Sequence, residues 1–255
     1  MINDKSTNGK NFKIGFNFSK YAHTYDKNAQ LQKMMAGKLA SFLPNTMPKR
    51  ILEIGCGTGM FTKYLLAKPA EKIYLNDISN EMIKNMRLKL TLPPYIQIIA
   101  GNAEFLKFQP VDMITANAVF QWFSDPKYIL NRLKKYIKPN GRLIFSTFGP
   151  SSLKELRITA RMNSPIPLHS ENKWINLINE TGMTLSSSAN EQYKTFYPNA
   201  FQLLKNLQQL GAAPIRMASS KQLRRIINDY DQSYLTKKGV YANWELLYFS
   251  VINSQ

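Results

Sequence analysis

Residues 53–59, Glu-Ile-Gly-Cys-Gly-Thr-Gly, close an apolar run with an acid and three glycines at alternate positions. Glycines there let the main chain adopt angles other residues avoid and let a ligand approach the backbone. A second acid, Asp77, ends the next apolar run, in IYLNDIS. In nucleotide-binding α/β sheets a carboxylate at that place accepts hydrogen bonds from ribose hydroxyls. A third group, Asn117, Gln121 and Trp122 in NAVFQW, follows the run Val111 to Ala116. Amides both donate and accept hydrogen bonds, and an indole gives a flat apolar wall. The chemistry of such a set is the binding of a small polar ligand with an aromatic part.

The glycine spacing selects the ligand. Dinucleotide sites use G-x-G-x-x-G and lay a pyrophosphate on a helix N-terminus. Here the spacing is G-x-G-x-G behind Glu53, and an acid suits a cation better than a pyrophosphate. S-adenosylmethionine carries an ammonium and a sulfonium and no phosphate. Cys56, the single cysteine, has no His or Lys near it in sequence to activate it, so it reads as a small residue between glycines and not as a nucleophile. One cysteine also argues against an internal disulfide and a Cys-based zinc site; no metal is expected.

The elements that must position these residues alternate. Strands are predicted over 50–54, 73–76, 96–100, 111–116 and 142–147, and helices over 60–67, 80–90 and 126–137, the pattern of a doubly wound parallel sheet. Residues 1–18 read as a loose basic arm and 26–43 as one helix. After 150 the pattern changes. Helices are predicted over 151–162, 173–180, 199–210 and 219–230, and late strands over 183–196 and 244–252. The expected organisation is one domain, 1–255, with an N-terminal arm and helix (1–43), a core (44–150 plus the late strands) and helical lid segments (151–165 and 197–238).

Glu53, the three glycines, Asp77 and the segment AGNAEFL, in this order, resemble the class I S-adenosylmethionine-dependent methyltransferases. The resemblance implies a Rossmann-like α/β sheet, mostly parallel with a late antiparallel strand. It implies that Glu53, Gly55, Cys56, Gly57 and Gly59 hold the methionine part of the cofactor, Asp77 and Ile78 the ribose, Asn102 and Ala103 the adenine, and that Asn117 also faces the cofactor. The segments FSKYAHTYDKNAQLQ, ILEIGCGTG, NAVFQWFSD, STFGPSSLKEL and LLKNLQQLGAA are similar to the malonyl-acyl carrier protein O-methyltransferases of biotin synthesis. That similarity implies transfer of a methyl group to a free carboxylate, with Tyr25, Gln121, Trp122 and Lys205 placing the acceptor and no general base. Trans-aconitate methyltransferase shares the Gln-Trp segment and esterifies a small free acid, which keeps a small-acid reading open. The Asn/Asp-Pro-Pro-aromatic motif of base and amide methyltransferases is absent; LPPY at 92–95 lacks the amide and precedes the wrong strand. His23 and His169 are the two histidines that a hydroxyl acceptor could use as a base.

The charge bears on the partner. Lys and Arg total 34 against 16 Asp and Glu, a net charge of +18. Such an excess favours an anionic partner. An acidic acyl carrier protein fits, with Lys154, Arg157, Arg216, Lys221, Arg224 and Arg225 as docking candidates. A nucleic-acid-modifying enzyme is the competing class, disfavoured by the missing motif and by the lack of an appended RNA-binding domain. No apolar run approaches the ~18 residues of a membrane span, and the N-terminus shows no apolar signal core, so a cytoplasmic enzyme is expected.

Overall fold

The computed structural model describes residues 15–164, 166–211 and 219–254. Strands β1 (Arg50–Ile54), β2 (Lys72–Asp77), β3 (Ile96–Ala100), β4 (Val111–Ala116) and β5 (Ile137–Phe148) are followed by β6 (Thr184–Tyr197), β7 (Leu235–Thr236) and β8 (Gly239–Ile252). They form one sheet in the order β3-β2-β1-β4-β5-β8-β6, with β7 paired to β8. Strands β1 to β5 pair in parallel. β8 runs antiparallel to both neighbours. The fold is the mostly parallel sheet with a late antiparallel strand that the sequence predicts.

Helices α1 (Tyr25–Asn28), α2 (Gln30–Ala40), α3 (Thr62–Leu66), α4 (Asn80–Lys89), α5 (Pro126–Lys134), α6 (Lys154–Ala160), α7 (Glu171–Glu180), α8 (Ala200–Gln209) and α9 (Ser220–Tyr234) cover the sheet. β1 and β4 are buried along nearly their whole length, as their continuous apolar runs demand of a sheet covered on both faces. One core gathers Leu31, Met35 and Leu39 of α2, Leu203 and Leu207 of α8, and Ile226 and Tyr230 of α9. The other joins Ile129, Leu130 and Leu133 of α5 to Trp174, Leu177 and Ile178 of α7. In it Phe145 stacks between Phe120, 4.0 Å away, and Phe249, 4.9 Å away. Several helices start on side-chain caps: Ser79, Asp125, Ser170, Asn199 and Ser219 each accept a bond from a backbone N–H in the first turn.

Four boundaries depart from expectation, each for a local reason. The helix predicted over 26–43 is broken at Ala29, whose backbone (φ −91, ψ 39) leaves the helical region. Residues 15–18, read as the end of the loose arm, belong to a helical stretch over 15–21, which packs on the sheet's ligand end as described below. β5 begins at Ile137 and not at Arg142. Asn140 takes φ 61, so the Pro-Asn-Gly turn signal becomes an irregularity within a strand, and Asn140 N–H donates to Asn253 at 2.7 Å. α9 extends to Tyr234, and β8 starts at Gly239 because its first residues pair with the end of β6, Val240 opposite Tyr197.

The chain enters the sheet at β1, moves outward through β2 and β3, and returns on the other side at β4. The crevice beyond the carboxyl ends of β1 and β4 is therefore the topological switch point, where open α/β sheets bind ligands. Gly55 follows β1, Asn117 follows β4, and Asp77 closes the neighbouring β2 on the same side.

Candidate active site

A cavity with about 730 Å³ of empty space, counted out to its open mouth, lies there. Its walls include Tyr25, Gly55, Gly57, Asp77, Ile78, Asn102, Ala103, Asn117 and Trp122, nine of the residues expected at the site. At Gly57 (φ 54) an added Cβ would enter open space, so this glycine leaves room against the backbone and supplies a left-handed angle. Its N–H donates to Asp77 Oδ2 at 2.8 Å, and Ser79 N–H donates to Oδ1 at 2.8 Å. The carboxylate is thus fixed by the glycine loop on one side and by the start of α4 on the other. Burial raises its pKa to about 6 against those bonds, so near neutral pH it is mostly ionised and able to accept from hydroxyls.

Asn102 accepts a bond from Glu104 N–H at 2.9 Å, a tight turn that presents Asn102, Ala103 and Glu104 to the cavity. Glu104 accepts from both the N–H and the hydroxyl of Ser124. Asn117 donates to Gln32 O at 3.1 Å and accepts from Ser146 Oγ at 2.8 Å, which fixes which way its amide points. Trp122 meets Phe18 edge to face, centroids 5.4 Å apart, and Phe18 meets Tyr25 at 6.2 Å. Three aromatic rings therefore wall one side. Burial, with Asp77 and Asp26 close by, holds the Tyr25 phenol well above its ordinary value, so it stays a neutral donor.

Five expected residues do not line the cavity. Glu53 is 1% exposed and accepts from Thr62 Oγ1 at 2.7 Å. Its carboxyl faces α3 instead of the ligand, and burial lifts its pKa to about 8. Cys56 belongs to the core under α2 and α8, where burial raises its thiol well above the ordinary value; it is neither nucleophile nor cavity wall. An added Cβ at Gly59 would lie 2.5 Å from Leu90 and 2.9 Å from Met86, so this glycine lets α4 pack closely. Gln121 is buried with both amide ends used, donating to Ala118 O at 2.7 Å and accepting from Thr147 at 3.1 Å. Lys205 is exposed on α8: Leu203 and Leu207 take the helix face that turns inward, and a residue two places from each points away.

Gln121 has a different task. Ala118 sits at φ 54, a strained angle for a residue with a side chain. Gln121 grips its carbonyl, while Ser146 accepts its N–H at both the hydroxyl and the carbonyl oxygen. That clamp sends the chain out of β4 so that Asn117 and Trp122 both face the cavity. Phe18, Glu104, Val119 and Phe123 also line it. Phe18 and Tyr25 sit on two short helical stretches separated by the turn at 22–24, so no single periodicity marks them as a pair. Neither histidine is in the lining. His169 packs edge-on to Trp174, and burial beside Lys173 lowers its pKa.

The charge of the lining is informative. Its ionisable groups, among the described residues, are Tyr25, Asp77 and Glu104, with no Lys, Arg or His. A chain of net charge +18 has thus placed carboxylates and aromatic rings in its cavity, which fits a cationic ligand with an adenosine part and rejects a pyrophosphate.

Comparison with known proteins agrees. The family model described as a methyltransferase domain matches residues 52–145. The malonyl-[acyl-carrier protein] O-methyltransferase 2 of Ilyobacter polytropus is 33% identical, over 92% of this chain and 95% of that protein. The corresponding enzyme of Halalkalibacterium halodurans is 30% identical, over 97% and 98%. Among solved structures, an S-adenosylmethionine-dependent methyltransferase from Mesorhizobium loti superposes with a TM-score of 0.54 at 15% identity, over 85% of this chain and 96% of that one. Phosphoethanolamine N-methyltransferase 2 of Haemonchus contortus gives 0.53 at 14%, over 91% and 53%. The structural matches carry the fold and the sequence matches carry the family: the chain belongs to the malonyl-[acyl-carrier protein] O-methyltransferases, a group of S-adenosylmethionine-dependent methyltransferases.

Proposed function

We propose that this chain transfers the methyl group of S-adenosylmethionine to the free carboxylate of a malonyl group carried by an acyl carrier protein, the first step of pimeloyl synthesis for biotin. The observation that carries this reading is the lining itself: aromatic walls and carboxylates, with no histidine or lysine among the described residues to act as a base. A carboxylate is already ionised and nucleophilic at neutral pH, so this acceptor needs none. Bound S-adenosylmethionine supplies an electrophilic methyl on a sulfonium. Gly57 would leave room for its methionine part, beside Gly55, whose missing side chain lets Val119 pack on the loop; Asp77 and Ile78 would hold the ribose, and Asn102 and Ala103 the adenine. Asn117, with its amide oriented by Gln32 and Ser146, would face the amino-acid end. Trp122 and Phe18 exclude water from the reacting end, and the neutral Tyr25 hydroxyl donates to the acceptor's carboxylate and aligns it. Lys205 has no part in this arrangement.

The exposed candidates Lys154, Lys221, Arg224 and Arg225 lie on α6 and α9, which pack against each other. They would offer cations to an acidic carrier protein, Arg225 while also paired with Asp229 at 4.0 Å. Arg157 is a weaker member, because its guanidinium donates to the carbonyls of Ser152 and Pro150; Arg216 lies outside the described residues. Among the described residues no helix is long and apolar enough to cross a membrane, and a reducing cytoplasm suits the free, buried Cys56.

The test is methyl transfer followed by mass spectrometry of the carrier, with malonyl-carrier, malonyl-coenzyme A, free malonate and trans-aconitate as acceptors. A methyl ester on the carrier-bound malonyl group, made far faster than on the free acids, is the expected result. Tyr25→Phe should slow single-turnover transfer about tenfold while changing cofactor affinity little, since the lost donor serves the acceptor. Preference for a free acid would overturn the reading.

A further inference from the structure

The segment 15–28 covers the cavity, and its fastenings are specific. Asp26 is the hub. Its Oδ1 accepts from Thr58 Oγ1 of the glycine loop at 2.5 Å, and its Oδ2 pairs with Lys89 Nζ at the end of α4, also at 2.5 Å. At the other end of the segment, Ser19 Oγ lies 2.8 Å from Ser79 Oγ, where α4 begins. Between these points the segment sends Phe18 and Tyr25 into the cavity wall. Asp26 and Ser19 therefore tie the segment to the elements that hold Asp77, and Asn28 at its end accepts from Asn206 of α8 at 3.2 Å.

These ties are few and polar. The side chains of Asp26 and Lys89 are 39% and 40% exposed, so water competes for their ion pair. The four residues of α1 all stay partly exposed, although the Tyr25 hydroxyl is enclosed. A segment fastened by a few polar contacts and an exposed ion pair, with Ala22 as its buried residue, opens at lower cost than an element of the core. Yet two of its rings wall the cavity, so it cannot open without opening the site.

We propose that Asp26 is a positioning residue: by bridging Thr58 and Lys89 it latches segment 15–28 over the cavity, setting Phe18 and Tyr25 against Trp122, and release of this latch gates exchange of the cofactor and its demethylated product. The inference rests on the cavity being the S-adenosylmethionine site and not on which acid accepts the methyl.

Two variants test it, with the dissociation rate of S-adenosylhomocysteine as the readout, followed by intrinsic fluorescence with Trp122 in the cavity wall. Asp26→Asn keeps the size of the side chain and removes the charge. It should speed dissociation about fivefold or more, the size of losing a charge-assisted hydrogen bond, with an unchanged far-ultraviolet circular dichroism spectrum. The second variant joins the segment to the body. Ser19→Cys with Ser79→Cys places two thiols within reach of a disulfide, and Cys56 is buried away from the reaction. Oxidised with diamide after loading, this protein should retain its ligand; oxidised before loading, it should admit none. Reduction should restore exchange, and the reduced form is the control because Ser79 also caps α4. Exchange in the oxidised form at the reduced rate, together with wild-type dissociation from Asp26→Asn, would overturn the latch. Failure of the unmodified protein to bind S-adenosylhomocysteine would instead overturn the assignment of the cavity.

Discussion

Glu53→Gln separates a buried, protonated acid from a ligand-facing carboxylate. Glu53 is 1% exposed, its partner is the neutral Thr62, and Asp77 lies close enough to add repulsion. Its pKa rises from the ordinary 4.5 to about 8. The sign of the consequence is fixed by linkage. Between those two values the native state holds a proton that the unfolded state has lost, so stability falls as pH rises through the window and levels off above about 8. At 1.36 kcal/mol per pH unit, the rise from 4.5 to about 8 corresponds to ~5 kcal/mol as an upper figure. Relaxation and water entry reduce it, and a loss of roughly 2–5 kcal/mol is the working expectation. Glutamine has nearly the shape of the protonated acid and does not titrate. The stability of Glu53→Gln, compared with the natural protein by urea denaturation from pH 5 to 9, should therefore gain steadily with pH and stop gaining above about 8. Parallel stability curves for the two proteins would refute the reasoning and return Glu53 to the ionised state.

Three further changes probe the glycine loop and the carboxylate it holds. Asp77→Asn should weaken S-adenosylmethionine binding by roughly 10- to 100-fold in calorimetry, since one oxygen in place of two cannot accept from both Gly57 N–H and Ser79 N–H and still serve a ribose. Gly57→Ala and Gly59→Ala should part company: the first costs about 1 kcal/mol of backbone strain and impairs cofactor binding. The second drives a methyl into Leu90 and Met86 and costs about 1–3 kcal/mol of stability in thermal denaturation.

What the sequence made legible follows from what kind of signal each residue carries. Strand ends and the glycine loop announce themselves through apolar runs and glycine spacing, so Gly55, Gly57, Asp77 and Asn117 could be placed at the cavity from the residues themselves, whereas Asn102 rested on the family resemblance of AGNAEFL. Direction was harder to read. Glu53 lies in a strand whose side chains alternate between faces, and a motif does not say which face the acid takes. Gln121 and Trp122 are adjacent, and only the 3₁₀ turn at Phe120–Trp122 sends one inward to Ala118 and the other to the cavity. Lys205 was placed by its neighbours in a motif, while the amphipathic pattern of its own helix pointed it outward. Phe18 and Asp26 act through contacts with residues 58–122, and no local pattern encodes a long-range contact of that kind.

The distribution of charge in the molecule joins these readings. A basic surface and an acidic cavity would oppose each other if their fields overlapped freely, but at physiological salt charges more than about 8 Å apart through solvent are largely screened. The exposed cations of α6 and α9 can therefore attract an acidic protein without repelling a cationic cofactor from Asp77 and Glu104. Inside the cavity the balance changes again. An anionic acceptor approaching a cationic donor loses charge on the way to the transition state, so a water-poor aromatic wall favours the step, whereas a fixed lysine beside the acceptor would stabilise the reactant carboxylate more than the product ester. The absence of Lys and Arg from the described lining and the exposed position of Lys205 accord with the proposed reaction, in which Tyr25 would orient the acceptor without adding a charge.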